Sequence, residues 1–172
     1  MTTDTTFNIT VQNPFLSPAI ATANGSVTAE TAFWPRDQSS TLIMTLTLPQ
    51  STWAVAVNSS MVAIKSANRV LTSVTLPPRQ QAKVSSGVVL GMWNILRFEV
   101  VHAARGHSLS VWLNPIAQPT APHLGSVRPL LSTTVPNTHL RVRESAVEVG
   151  LEVGVGVPGD WSLLDYVSVL GP

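Results

Sequence analysis

Trp93-Asn-Ile-Leu-Arg-Phe-Glu-Val-Val-His-Ala-Ala-Arg-Gly-His-Ser-Leu-Ser-Val-Trp-Leu-Asn114 decides the fold. It reads as two strands around a turn at Ala103-Ala-Arg-Gly106. Pairing Phe98 with Val111 sets Leu96 opposite Leu113 and Val100 opposite Leu109, so these six apolar residues fall on one side. The other side then carries Arg97 opposite Trp112 and Glu99 opposite Ser110. Side chains alternate along a strand, so a slip of one residue would exchange the two sets, and burial of one face fixes the register.

The same period of two recurs along the chain. Phe7, Ile9 and Val11 alternate with polar residues, as do Val147, Val149, Leu151, Val153 and Val155 with Glu or Gly. Residues 42–48 and 53–57 follow the same rule, and further strands are expected at 26–33, 61–65, 69–76, 84–90, 139–143 and 161–170. Between them stand turn formers such as Asn13-Pro14, Asn24-Gly25, Asn58-Ser-Ser60 and Pro158-Gly-Asp160. No window shows a sustained 3.6-residue period. About a dozen short strands separated by turns is the pattern of an all-β antiparallel sandwich or barrel, with a two-sheet antiparallel sandwich as the expectation.

The chain has 172 residues, one domain's worth, and residues 1–172 are expected to form a single sandwich domain. The segment 114–138 interrupts the rhythm with five prolines (115, 119, 122, 129 and 136) and is expected as a long loop. With no cysteine there is neither a disulfide framework nor a thiolate metal site. The net charge of +1 and scattered basic residues set nucleic acid aside. No apolar run reaches the roughly 18 residues a transmembrane helix needs. The first residues lack the pattern of a signal peptide, whereas sequons at Asn8, Asn24 and Asn58 lean toward export.

Catalytic constellations are not evident. Glu144, Glu148 and Glu152 share a strand face, but a spacing of four residues puts neighbours about 13 Å apart, too far for a glycosidase pair. His102 and His107 flank the hairpin turn and invite a metal. No third ligand accompanies them, so they read as turn-loop histidines, with neither metal nor cofactor expected.

Residues 93–100 followed by Leu109-Ser-Val-Trp-Leu-Asn114 resemble a hairpin characteristic of laminin-G and concanavalin A-like modules. Val149-Gly-Leu-Glu-Val153 and Trp161-Ser-Leu-Leu-Asp-Tyr-Val-Ser-Val169 look like the closing strands of those modules. The resemblance covers about the last eighty residues and departs from the pattern at Asn94 and at Asn114-Pro115. It implies a jelly-roll sandwich similar to lectin-like accessory domains of glycoside hydrolases, the galactocerebrosidase type among them.

The expectation that follows is a non-catalytic binding module, carbohydrate-binding or an accessory domain of a larger secreted protein, in the extracellular or secretory pathway. The alternative is an assembly protein whose low-charge surface packs with itself or a partner, giving a homo-oligomer. The candidate ligand-binding residues are Trp112, Arg97, Glu99, Trp34, Asp37 and Asn114, for a glycan or protein partner. Trp112 would serve either as a flat platform on the outer face or as a ring covered by residues 114–138. Trp53 is expected in the core and Trp93 half exposed at a strand end.

Overall fold

A computed structural model describes residues 7–13, 26–36, 38–48, 51–67, 69–77, 87–103, 106–114, 128–136, 147–154 and 163–170. For residues 7–13, 103, 147–154 and 163–170 it describes the backbone alone.

The strands are β1 (Phe7–Asn13), β2 (Ser26–Trp34), β3 (Thr41–Leu48), β4 (Ser51–Val57), β5 (Met61–Ser66), β6 (Arg69–Thr75), β7 (Asn94–Ala103), β8 (Gly106–Leu113), β9 (Leu131–Pro136), β10 (Val147–Gly154) and β11 (Leu163–Leu170). They form a six-stranded sheet, β1-β10-β3-β4-β5-β6, and a five-stranded sheet, β11-β2-β7-β8-β9. Every strand pair is antiparallel. Neighbours such as β3–β4 and β7–β8 are hairpins, whereas β1–β10 and β2–β11 join opposite ends of the sequence.

The β7–β8 register is the one the alternation demands: Leu96 with Leu113, Phe98 with Val111, Val100 with Leu109, Arg97 with Trp112. The inner sets of both sheets meet in one cluster. Val27, Ala29, Phe33, Leu96, Phe98, Val100, Leu109, Val111 and Leu113 come from the five-stranded sheet; Leu42, Met44, Leu46, Trp53, Val55, Val57, Val62 and Ile64 come from the other. Each large aliphatic removed from water in this way is worth about 1.5–3 kcal/mol, which is why the alternation dictates the sandwich. Along one side the edge strands β6 and β9 lie against each other, and Leu71, Val74, Leu131 and Val135 pack on the shared core there.

Two expectations are corrected. The segment 114–138 is not all loop, because Leu131–Pro136 forms β9. Its Leu131, Thr133 and Val135 alternate with Ser132, Thr134 and Pro136, a period masked by the surrounding prolines. Pro136 is tolerated because β9 pairs on one side only, an edge position where a missing N–H costs little. Residues 87–90, expected as the end of a strand, are loop. Val88 and Leu90 are buried as the alternation suggests, but they plug the end of the core while a side chain, not a neighbouring strand, satisfies the backbone. The expected strand at 139–143 lies outside the described residues.

Candidate functional site

One end of the sandwich gathers the C-terminal ends of β2 and β8 and the start of β7. Residues 87–93 lead into β7 there and are held by two buried asparagines. Asn94 is fully buried. Its Oδ1 accepts from the Val89 N–H (2.8 Å), and its Nδ2 donates to the Val89 and Met92 carbonyls (2.8 Å each). Asn114 donates through Nδ2 to Asn94 Oδ1 (3.0 Å) and to the Gly87 carbonyl (3.1 Å), while its Oδ1 accepts from the Ile95 N–H (2.8 Å). A backbone bond from Asn114 N–H to the Ile95 carbonyl (2.7 Å) closes the ring. Asn114 has a φ of 48°, a left-handed conformation that asparagine tolerates better than most residues. These two amides therefore do inside the protein what a third strand would otherwise do for the loop.

The loop is clipped to the end of β2 by Gly91 N–H donating to the Pro35 carbonyl (2.8 Å). Gly91 has a φ of 69°, where any other residue would be strained, and a Cβ there would sit 4.0 Å from Trp34 Cζ2. Trp34, partly exposed, thus lies against the loop on the outward side of its strand. Immediately beyond Gly91 the chain presents Met92, 55% exposed, and Trp93, 49% exposed. Large apolar side chains are seldom left so open side by side. Beneath them the backbone is tied by the bonds from Asn94, Asn114 and Pro35.

The outer face of the five-stranded sheet adjoins this end. Glu30 on β2 and Arg97 on β7 are directly opposite, and Arg97 donates through Nε and Nη2 to Glu30 Oε2. Glu99 follows on the same face; partial burial pushes its carboxyl above the usual carboxylate range, while the Arg97 charge pulls the other way. Ser110 and Ser132 continue the row from Glu99 across β8 and β9. Trp112, next to Arg97 in register, is only 6% exposed.

Of the residues expected from sequence, the structure brings Trp34 and Asn114 to the loop end and Arg97, Glu99 and Trp112 to the adjoining outer face. Asp37 lies outside the described residues. Trp112 presents no open ring, Asn114 spends its amide on internal bonds, and the Arg97 guanidinium is turned to Glu30. Trp93 is half exposed and Trp53 is core, as expected. Sequence reasoning missed Glu30 as the partner of Arg97, although its parity in the 26–33 pattern placed it on the outer face. It also missed Asn94 and Met92, for which the sequence carries no periodic signal.

At the opposite end of the same hairpin, His102 and His107 face each other across β7 and β8. They belong to the strands, not to a turn loop, because pairing continues past them to Ala103 and Gly106. His107 is 5% exposed and packs on the Trp53 ring, with centroids 4.8 Å apart. Burial, and then the neighbouring His102, lower its pKa from the usual imidazole value. Among the described residues no group of three or more His, Cys, Asp or Glu gathers into a metal cluster, and no helix is long and apolar enough to cross a membrane.

The class defined by this pairing is an all-β, two-sheet antiparallel sandwich of the jelly-roll kind. No protein-family model matches the chain, and no curated protein matches it. Several solved structures are similar in shape. A tetrameric galectin from the ball sponge Cinachyrella is 10% identical with a TM-score of 0.44, covering 94% of this chain and 97% of the other. An uncharacterized protein (Rv0315 ortholog) from Mycobacterium paratuberculosis is 12% identical at 0.45, covering 95% and 73%. The alginate lyase PA1167 from Pseudomonas aeruginosa is 11% identical at 0.39, covering 90% and 67%. Likeness at this level carries no argument about function, and these sandwiches include a lectin and an enzyme side by side. The galactocerebrosidase-type relationship is not among what the comparisons show.

Proposed function

We propose that this chain is a non-catalytic binding module that takes a carbohydrate at the end of the sandwich formed by Trp34 and the loop 87–93. The observation that carries the proposal is the half-exposed Trp93 beside exposed Met92, on a loop whose backbone is pinned by Asn94 and Asn114. A loop backbone held in place loses little entropy on contact, so exposed aromatic surface on it suits a flat apolar sugar face. Trp34 extends the contact. Arg97, Glu99 and the Ser110–Ser132 row offer hydrogen bonds on the adjoining face, while Trp112 and Asn114 support the site from beneath. Tryptophan and arginine are the residues in which binding energy most often concentrates.

The non-catalytic part rests on the ion pair that commits Glu30 to Arg97. In this reading the chain is an accessory domain of a larger protein of the secretory pathway, with the glycan as its partner.

A glycan array and titration calorimetry on the hits test the proposal, with Trp93→Ala and Trp34→Ala beside the wild type. Binding weakened at least tenfold by Trp93→Ala is expected, equivalent to about 1.4 kcal/mol. Binding unaffected by either substitution would move the site elsewhere.

A second reading, self-assembly, rests on the low charge of the chain, 11% charged residues with a net charge of +1. Light scattering after size exclusion separates the two: a concentration-independent monomer removes the assembly reading.

A further inference from the structure

We propose that His102 and His107 form a binding site for one divalent d-block cation, at the end of the sandwich away from the tryptophan loop. The two Nδ1 atoms point at each other from opposite strands, 3.5 Å apart, with ring planes tilted by 48°. Hydrogen-bonded nitrogens and oxygens favour about 2.7–3.2 Å, so a proton held between the rings would draw them closer. Two imidazole nitrogens bound to one tetrahedral cation at about 2.0–2.1 Å stand about 3.4 Å apart. The observed separation, at the outer limit for a hydrogen bond between the rings, also matches that of two ligands on one ion.

The pair is also held in place. It closes a cross-strand register whose next rungs are Val101–Ser108 and Val100–Leu109. His107 packs on the Trp53 ring from β4, which restricts its orientation. From β9, the residue opposite is Val135, which offers no charge. His102 is only partly buried and gives access from solvent. Imidazole nitrogens select zinc, copper and nickel over calcium and magnesium, which require oxygen ligands. With two protein ligands, the remaining positions go to water or to an incoming group, giving an exchangeable site. Bound metal would clamp β7 to β8 where their hairpin turns.

Calorimetric titration of the full chain with ZnCl2 at pH 7.5, with MgCl2 as comparison, tests the proposal. One Zn2+ per chain, no Mg2+, and a thermal midpoint raised by several degrees with Zn2+ are expected. His102→Ala, at the more exposed position and so the milder for folding, should weaken Zn2+ at least tenfold and abolish the midpoint shift. His107→Gln, checked by circular dichroism for a folded sheet, should do the same. No saturable binding up to roughly 1 mM Zn2+, or equal affinity in wild type and His102→Ala, would overturn it.

Discussion

Replacing Asn94 with alanine should cost far more than its place beside a surface loop suggests. The side chain takes part in four hydrogen bonds: one from the Val89 N–H, two to the Val89 and Met92 carbonyls, and one from Asn114. A buried hydrogen bond contributes a net value of about 1 kcal/mol, and a donor left unpaired costs about 1–3 kcal/mol. Water entering the vacated space restores part of that, which puts the expected loss at about 3–5 kcal/mol. For a domain of this size that corresponds to a fall in Tm of roughly 10 °C. Urea unfolding of Asn94→Ala measures the loss, and hydrogen exchange locates it, because the Val89 amide should lose its protection while β4 and β5 keep theirs. Asn94→Asp preserves the acceptor, loses both donors and buries a charge, so it should be no better than alanine. A loss below about 1 kcal/mol with the Val89 amide still protected would refute the view that this side chain holds the loop.

Gly106→Ala should destabilise strongly, since its Cβ would lie 2.3 Å from the Val135 carbonyl oxygen and the β8–β9 pairing would have to open; urea unfolding and exchange of β9 amides report it. Ala67→Gly should stabilise by up to about 1 kcal/mol, because Ala67 sits at a φ of 48° in the β5–β6 turn, and a lower urea midpoint would contradict that reading. For His107 the folded pKa lies below the ordinary 6.5, so its contribution is complete above that pH and is lost as pH falls toward the folded value. The urea midpoint of metal-free protein should therefore drop between pH 7.5 and 5, and drop less in His107→Gln.

The hairpin at 93–114 was legible because its information is local: parity alone sorts Leu96, Phe98, Val100, Leu109, Val111 and Leu113 to one face. Trp53 and Trp93 followed from the same rule. What stayed hidden depends on contacts between distant segments. Glu30 reaches Arg97 across 67 positions of sequence. The alternation of Val88 and Leu90 suggested a strand, and only the tertiary position of Asn94 reveals that a side chain does the strand's bonding. Trp112 shows parity at its limit, since the pattern places a ring on the outer face without saying whether that ring meets water. β9 was obscured by prolines on either side, although Thr133, Thr134 and Val135 favour extended backbone. His102 and His107 were placed on either side of the turn, and the hairpin register sets them opposite each other.

The proposed binding role stands on the exposed tryptophan at the end of the sandwich as its contact surface. Its most direct test is a glycan array followed by calorimetry with wild type, Trp93→Ala and Asn94→Ala. The expected result is saturable binding of a glycan by wild type, weakened at least tenfold in Trp93→Ala at unchanged stability, and weakened also in Asn94→Ala through loss of the loop. Glycan binding that survives Trp93→Ala intact, or a folded wild type that binds no glycan, would contradict it.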